Sequence, residues 1–353
     1  MDIKFLETPA LVLDIDAFDE NIKTMKGIVQ ASGLKFRPHY KTHKCPQIAH
    51  RQIAEGACGI TCAKLGEAED LIQSGIENVF IANQIVDPPK IARLAFLAKC
   101  CALSVCVDSE ENILALEKAA ALQRSHIICL VEFDIGMERC GVFSAEAVLA
   151  LAKKIQTCSH LEFGGIQAYA GNLAHETDFE RRKAESEKVE AALLGVKRHL
   201  AGAGVSVREI SGISTGTAAL HGKNTVYTEM QAGSYIFMDT SYARLNLPFK
   251  NALFVLTQIV SVNPVSMVMD AGVKSLSTDQ TMPVLASYPD VAVKLSEEHA
   301  TISRPVNCPA AGEKLLMIPG HCCTTVNQYD QLYLVKGNKV MDRVLITSRG
   351  KSC

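Results

Sequence analysis

The chain has 353 residues, enough for one large α/β domain and a smaller companion domain. Its 36 basic and 38 acidic residues nearly balance, and no basic stripe indicates nucleic-acid binding. The longest apolar stretch, residues 91–107, is interrupted by Arg93 and Lys99, which excludes a transmembrane helix. Because the N-terminus lacks an apolar run of signal-peptide length, we expect a cytoplasmic protein whose 13 cysteines stay reduced.

From about residue 34, short β-type runs alternate with amphipathic helical segments. The eight predicted strands are 34–39, 60–62, 79–82, 102–107, 127–133, 162–168, 209–211 and 228–231. The clearest helical patterns between them are 66–74, 109–121, 144–156 and 176–201. Eight β/α units over roughly 200 residues predict an α/β fold of the TIM (β/α)8 barrel type. The absence of a G-x-G-x-x-G or P-loop motif argues against an open nucleotide-binding sheet.

Two parts of the chain fall outside the barrel pattern. A strand is predicted at residues 10–15, before the first β/α unit. After about residue 251 the pattern becomes β-rich without convincing helices, and the strands predicted there are 254–262, 266–270, 314–318 and 331–335. We therefore predict an N-terminal strand at 1–15 that joins a β domain, a barrel at 16–245, and a C-terminal β domain at 246–353.

Reactive side chains of a TIM barrel lie where its strands end and the following loops begin, and this rule selects a short set of residues. In chain order these residues are Lys41, Arg139, Tyr169, Ser214, Gly216, Thr217 and Tyr235. Arg37 and His39 share one strand face with Lys41 by period-two spacing. Three cations on one face would repel one another and favour an uncharged lysine amine.

The loop after the seventh predicted strand, residues 211–217 (SGISTGT), suits an anion. Its small residues let backbone N–H groups approach a ligand, and Ser214, Thr215 and Thr217 add hydroxyl donors. Taken alone, this loop also fits a flexible polar turn, and Lys41 also fits a solvated surface lysine. Together, an anion anchor and an amine at the barrel mouth are what pyridoxal 5'-phosphate (PLP) requires.

Six segments occur in order along the chain: RPHYKTHK, GMERCGV, QAYAGN, STGTA, EMQAGSYIFMD and PGHCCTTVNQYD. Together they resemble the fold-type III PLP enzymes, particularly the D-serine dehydratase and D-threonine aldolase family, over nearly the whole chain. The resemblance implies a homodimer in which Lys41 is the Schiff-base lysine. The other contacts that it implies are Arg139 and Tyr169 near the cofactor ring, Gly216 and Thr217 at the phosphate, and Tyr235 beside it.

A candidate metal pair lies in the last of these segments. If residues 321–323 are extended, His321 and Cys323 share one face and Cys322 points away. The spacing alone also fits a buried cysteine beside a loop histidine, because the chain has ten histidines and 13 cysteines. The resemblance implies a metal pair at this position, whose two ligands leave positions for water and substrate. A thiolate favours zinc, whereas an aspartate would suit manganese or magnesium better.

The implied substrate is a small D-amino acid with a β-hydroxyl group. The first interpretation is a dehydratase acting on D-serine or a relative such as 3-hydroxyaspartate, because cysteine at position 323 resembles the dehydratases of the family. The alternative is a D-threonine or 3-hydroxy-D-aspartate aldolase that releases glycine and an aldehyde, to which the wording of PGHCCTTVNQYD is similar. The metal pair argues against a racemase, and the C-terminal domain argues against a PLP-binding barrel without catalysis.

Overall fold

The computed structural model describes residues 1–353, and the chain divides into two compact units. The barrel unit comprises residues 26–41, 48–233 and 351–353, and the β unit comprises residues 1–25, 42–47 and 234–350. Compactness therefore groups residues 16–25, 42–47 and 234–245 with the β unit, whereas the predicted boundaries count them in the barrel. The predicted domain boundaries at residues 15 and 245 therefore remain a prediction.

Strands and helices alternate through the first two thirds of the chain, and strands dominate the last third. The strands are β1 (Ala10–Asp14), β2 (Lys35–Phe36), β3 (Ile60–Cys62), β4 (Asn78–Gln84), β5 (Ala102–Val107), β6 (Ile127–Glu132), β7 (Leu161–Ala168), β8 (Glu209–Gly212), β9 (Glu229–Met230), β10 (Leu253–Val262), β11 (Ser266–Met269), β12 (Val284–Leu285), β13 (Lys294–Leu295), β14 (Ala300–Ser303), β15 (Lys314–Ile318), β16 (Gln331–Lys336) and β17 (Lys339–Leu345). The helices are α1 (Ile15–Ser32), α2 (Pro46–Ala54), α3 (Leu65–Gln73), α4 (Pro88–Leu97), α5 (Glu110–Gln123), α6 (Ala145–Gln156), α7 (Phe179–Gly202), α8 (Thr240–Ala243) and α9 (Cys322–Val326). None of these helices has both the length and the apolar character needed to cross a membrane.

The barrel unit contains eight parallel strands in the order β2-β9-β8-β7-β6-β5-β4-β3. The two ends of this order meet, because the N–H of Cys58 donates to the carbonyl of Phe36 at 2.8 Å and His39 forms a parallel bridge with Thr61. The sheet is therefore a closed barrel, and the predicted (β/α)8 fold with all eight strands is confirmed.

Local signals in the sequence start the outer helices of the barrel. Asp87 caps α4 by accepting the N–H of Lys90, and prolines occupy the first turn of that helix. Ser109 caps α5 in the same way. Inside the barrel, Phe80 and Leu130 are buried to within 1% of full burial, and each such side chain contributes roughly 1.5–3 kcal/mol to folding. The packed interior confines open space to the ends of the strands.

The β unit is built on a nine-stranded sheet. Strand β1 pairs antiparallel with β10 and parallel with β16, which confirms that the N-terminal strand joins the C-terminal strands. Strands β12, β13, β14 and β17 and the short helices α8 and α9 were not predicted. Three of these strands have only two to four residues, too few for a periodic pattern, and α8 depends on a cap in which Asp239 accepts the N–H of Tyr242 at 2.9 Å.

Candidate active site

Lys41 lies in a 3-10 turn, residues 40–42, after the first barrel strand β2, and its side chain is exposed. The strand ends at Phe36, so the predicted face with three unpaired cations is wrong. Arg37 is instead buried, and its Nε donates to Glu229 Oε2 at 2.9 Å. Burial alone would lower the pKa of Arg37, but the charge and hydrogen bond of Glu229, together with Cys58 and Glu209, outweigh that effect and raise it. Lys41 is therefore positioned by its turn and does not depend on repulsion from Arg37.

A cavity of about 190 Å³ lies at the ends of the barrel strands, and Lys41, Arg139 and Tyr169 all line it. The other lining residues are His39, Ala63, Ala82, Asn83, Gln84, Glu132, Cys140, Gln167 and Gln231. Lys41 Nζ lies 5.7 Å from the centre of the Tyr169 ring, and the Arg139 guanidinium carbon lies 6.0 Å from it. The fold thus brings together three residues that the sequence spreads over more than a hundred positions, as the strand-end rule predicts.

The loop that presents Arg139 is organised by Asp134. This carboxylate accepts the backbone N–H groups of Gly136 at 2.8 Å, Met137 at 3.1 Å and Arg139 at 3.1 Å. Burial acts to raise the pKa of Asp134, but these hydrogen bonds outweigh it and lower the pKa. Gly136 has a φ of 111°, which a side chain would strain. The loop therefore has one preferred conformation around the charged carboxylate.

Glu132 and Gln84 belong to the cavity but were not predicted as site residues. Glu132 is 7% exposed, and Gln84 Nε2 donates to its Oε2 at 2.5 Å. Burial raises the pKa of Glu132, although the bond from Gln84 and the charge of Arg139 oppose the rise. Gln84 Oε1 is buried and accepts no hydrogen bond. A carboxyl group that ends the apolar run of the fifth barrel strand was the sequence signal for this pair.

The polar floor of the cavity continues into the barrel interior. Gln231 Nε2 donates to Gln167 Oε1 and to Ser211 Oγ, both at 2.8 Å. Ser211 Oγ donates to Glu229 Oε1 at 2.6 Å, and Glu229 in turn pairs with Arg37. These buried groups satisfy one another, so the two glutamine amides are held in one orientation beneath the cavity.

The predicted anion loop follows β8, and Ser214, Gly216 and Thr217 are all buried there. The N–H of Ser214 donates to Thr217 Oγ1 at 3.2 Å, and the two hydroxyls are also 3.2 Å apart. A Cβ on Gly216 would lie 2.2 Å from the carbonyl oxygen of Ala174. Glycine at 216 is therefore required by backbone packing, in addition to any approach of an anion.

Gly216→Ala is expected to lower the free energy of unfolding by about 1–3 kcal/mol, because backbone must move to admit the new Cβ. Gly222→Ala is the matched control, since no atom lies within 4 Å of the Cβ position at Gly222. This control should change stability by less than about 0.5 kcal/mol. Urea unfolding of both variants measures the difference, and equal stability would contradict the close packing of Gly216 against Ala174.

Tyr235 lies in the β unit, in a 3-10 turn formed by residues 234–236. Its side chain is 1% exposed and packs with its ring centre 5.8 Å from that of Phe249. The turn follows β9, the eighth barrel strand, as predicted. The contact of Tyr235 with a phosphate stays a prediction.

The candidate metal pair also lies in the β unit, at the start of α9. His321 is extended, with φ −149° and ψ 120°, but the next residues are helical, so the segment does not have the extended conformation under which alternation would pair His321 with Cys323. Cys322 is fully buried and its N–H donates to Asp239 at 2.9 Å. The side chains of His321 and Cys323 nevertheless hydrogen-bond each other. A helix cap, and not strand alternation, brings the two side chains together.

Asp279 completes the surroundings of this pair. Its Oδ2 lies 2.8 Å from His321 Nδ1, and Thr324 donates to its Oδ1 at 2.8 Å. Burial would lower the pKa of His321, but the bonds to Cys323 and Asp279 raise it to about 9. The carboxylate fixes the ring of His321, as an outer partner does for a metal-binding histidine. No cluster of three or more His, Cys, Asp and Glu side chains with metal-binding geometry occurs in the chain.

Comparison with known proteins identifies the class of this fold. A family model for the N-terminal domain of alanine racemase matches residues 13–241, and a model described as a putative serine dehydratase domain matches residues 252–335. The barrel with its antiparallel β unit is thus the fold-type III architecture of alanine racemase. More narrowly, the chain belongs to the D-serine dehydratase and D-threonine aldolase family of PLP-dependent enzymes, which confirms the resemblance seen in its sequence motifs.

Relatives of this chain align along nearly its whole length. A 3-hydroxy-D-aspartate aldolase of Paracoccus denitrificans is 37% identical over 99% of this chain and 94% of its own, and a D-threonine aldolase of an Arthrobacter species is 36% identical over 98% and 94%. The crystal structure of D-threonine aldolase from Filomicrobium marinum is similar with a TM-score of 0.96 and 37% identity, covering 99% of this chain and 98% of that one. A D-threo-3-hydroxyaspartate dehydratase of a Delftia species is 27% identical over 92% and 93%.

These identities correct the order of the two functional interpretations. The dehydratase interpretation depended on Cys323, a single residue. The similarity to aldolases is higher and extends over the whole chain, so it supports the aldolase alternative better than the dehydratase.

Proposed function

We propose that this protein is a PLP- and metal-dependent aldolase that cleaves D-3-hydroxy-amino acids, such as D-threonine or 3-hydroxy-D-aspartate, into glycine and an aldehyde. The observation that carries the proposal is the 36–37% identity with two such aldolases over 98–99% of the chain. The site residues are consistent with this chemistry, and the following assignments are part of the proposal.

The barrel cavity fits PLP in its donors and acceptors. Within the cavity, Lys41 supplies the amine and Tyr169 an aromatic face. Ser214 and Thr217, in the buried loop after β8, supply hydroxyls for the phosphate. Gln84 Oε1, a buried acceptor without a donor, suits a polar group of a ligand in the same cavity. Bound PLP would withdraw electron density from the substrate Cα, which both candidate reactions require.

The other roles in the reaction are assigned to residues that line the cavity. Lys41 moves a proton at Cα: it returns one after the Cα–Cβ bond breaks in an aldolase, and would remove one in a dehydratase. Asp134 holds the backbone N–H of Arg139, whose guanidinium provides a positive charge beside Tyr169. The carboxyl group of Glu132 interacts with that charge, and Gln84 donates a hydrogen bond to the same carboxyl group.

His321 and Cys323 fit a divalent cation. Their side chains interact with each other, and Asp279 orients the imidazole. A cation held there would supply Lewis acidity toward the β-hydroxyl of the substrate. The thiolate of Cys323 favours zinc over manganese or magnesium. With two protein ligands, the site retains positions for substrate.

The products of the wild-type enzyme test the proposal. Purified protein loaded with PLP and zinc should convert D-threonine to equal amounts of glycine and acetaldehyde, with ammonia and 2-oxobutanoate as minor products. L-Threonine serves as the stereochemical control and should not react. Ammonia and keto acid as the main products from D-threonine and 3-hydroxy-D-aspartate would contradict the aldolase assignment while leaving the PLP site intact.

A dehydratase remains the second candidate because of one specific observation. Cys323 provides a soft ligand, and zinc on such a ligand could assist departure of the β-hydroxyl group as well as its deprotonation. Conversion of D-serine to pyruvate and ammonia would distinguish it from release of glycine and formaldehyde. In either case we expect a homodimer, because carbanion chemistry benefits from an enclosed site that a second subunit would provide.

A further inference from the structure

A short segment near the C-terminus, residues 351–353, belongs to the barrel unit, although residues 234–350 belong to the β unit. We call residues 351–353 the clasp. The clasp is attached at two points, both on helix α3. The carbonyl oxygen of Cys353 accepts the N–H of Gly66 at 3.1 Å, and Lys351 Nζ donates to Asp70 Oδ1 at 3.1 Å.

The clasp packs directly against Gly66. A Cβ at this position would lie 2.9 Å from the carbonyl oxygen of Cys353 and 3.3 Å from the Cβ of Lys351. The absence of a side chain at 66 therefore lets the clasp lie directly on the first turn of α3. This close packing holds Lys351 in reach of Asp70, one turn further along the helix.

Asp70 connects the clasp to the turn that carries Lys41. Its second oxygen, Oδ2, accepts the phenolic O–H of Tyr40 at 2.8 Å. Tyr40 is completely buried, and the Asp70 side chain is 11% exposed. One carboxylate thus joins Lys351 to Tyr40 through a charge-assisted hydrogen bond on each oxygen.

The position of Lys41 depends on its neighbours in the turn. Its own side chain is exposed, so packing does not fix it. Its backbone N–H donates to His39 Nδ1 at 3.3 Å, and His39 is bridged to Thr61 of β3. Both chain neighbours of Lys41, Tyr40 and Thr42, are completely buried, and Tyr40 is the one that Asp70 holds. Movement of Tyr40 would therefore move the Cα from which the Lys41 side chain extends.

We propose that Lys351 is a positioning residue for Lys41, acting through Asp70 and Tyr40. The functional part of this inference rests on the proposed role of Lys41 as the PLP lysine, whereas the mechanical link does not. Loss of the Lys351 charge removes one charged partner of Asp70, weakens its hold on Tyr40 and loosens the 40–42 turn. The clasp thereby sets the orientation of the reactive amine at the barrel mouth.

Amide hydrogen exchange of the turn in the full-length protein, without substrate, tests the link directly. Lys351→Met keeps the aliphatic stem and removes the charge, and it should speed exchange in a peptide covering residues 39–42 roughly tenfold. Lys351→Arg should restore slow exchange. Lys26→Met is the control, because Lys26 pairs with Glu55 on the surface of the same unit at 3.3 Å, and it should leave this peptide unchanged.

A double-mutant cycle tests whether the effect passes through Tyr40. Tyr40→Phe keeps the buried ring and removes its hydrogen bond to Asp70. If the link is as proposed, adding Lys351→Met to Tyr40→Phe should speed exchange of the turn little beyond Tyr40→Phe alone. Fully additive effects, or unchanged exchange in Lys351→Met, would overturn the inference.

Activity separates this inference from the proposed function. In the PLP-loaded enzyme, Lys351→Met should lower kcat about three- to tenfold with little change in KM, because substrate contacts are untouched. Faster exchange of the turn with unchanged kcat would overturn the positioning role. Loss of the proposed aldolase reaction in the wild type would contradict the function but would leave the exchange result, and with it the mechanical link, standing.

Discussion

Lys41→Ala is expected to abolish covalent attachment of PLP and to lower kcat/KM by roughly 10³-fold or more. Lys41 is a lysine that lines the barrel cavity, and its Nζ lies 5.7 Å from the centre of the Tyr169 ring. Alanine removes both the amine that bonds the cofactor and the group that moves a proton at Cα. Visible absorption of the PLP-loaded protein, and peptide mass spectrometry after borohydride reduction, measure the loss of attachment.

Lys44→Ala is the matched control for this experiment, because Lys44 lies three residues away and its Nζ donates to the carbonyl of Ser348 within the β unit. This variant should keep the absorption band, the reducible adduct and most of the activity. A full adduct in Lys41→Ala that is lost in Lys44→Ala would transfer the assignment to Lys44.

Cys323→Ala should lower metal affinity by more than about 100-fold, since even loss of an outer partner of a ligand costs 10–100-fold. Activity should fall with the metal, while PLP should stay bound because Lys41, Gly216 and Thr217, its main proposed anchors, lie in the barrel unit. Metal content after dialysis and PLP absorbance measure the two losses separately. Full activity of the wild type after thorough chelation would contradict the metal assignment for His321 and Cys323.

Two further variants sharpen this experiment. Cys322→Ala is the neighbouring control: Cys322 is fully buried, and although its sulfur lies 4.0 Å from that of Cys323 it is not a proposed ligand, so metal binding should persist. Cys323→Asp exchanges a soft ligand for a hard one and should shift the preferred metal from zinc toward manganese. Equal zinc affinity in the wild type and Cys323→Asp would mean that the thiolate is not a ligand.

Much of the fold followed from patterns read within short stretches of sequence. Apolar runs separated by capped amphipathic helices predicted all eight barrel strands, with ends that differ by a few residues. The N-terminal strand and the four principal C-terminal strands were also predicted. The boundaries of β2 differ most: regular pairing ends at Phe36, although Arg37 still donates to the carbonyl of Met230 and His39 forms an isolated bridge with Thr61.

The start of helix α9 at Cys322 was also not predicted. A helix of one turn has no period to read, and α9 is held by contacts from distant segments, such as Asp239 to the N–H of Cys322. Sequence alternation therefore predicted the correct neighbours, His321 and Cys323, from the wrong backbone conformation. In the structure, His321 and Cys323 come together because His321 is the N-cap residue of α9.

By itself, the sequence determined the barrel and the list of residues at the ends of its strands, because parallel strands deliver all their C-terminal ends to one edge. Only the tertiary structure decided which partners those residues have. Arg37 is neutralised by Glu229, 192 positions away, and Lys351 reaches Asp70 across 281. Such pairs depend on burial and on contacts between distant elements. Local periodicity does not predict such pairs, because it indicates which side of an element is buried and not which residue packs against that side.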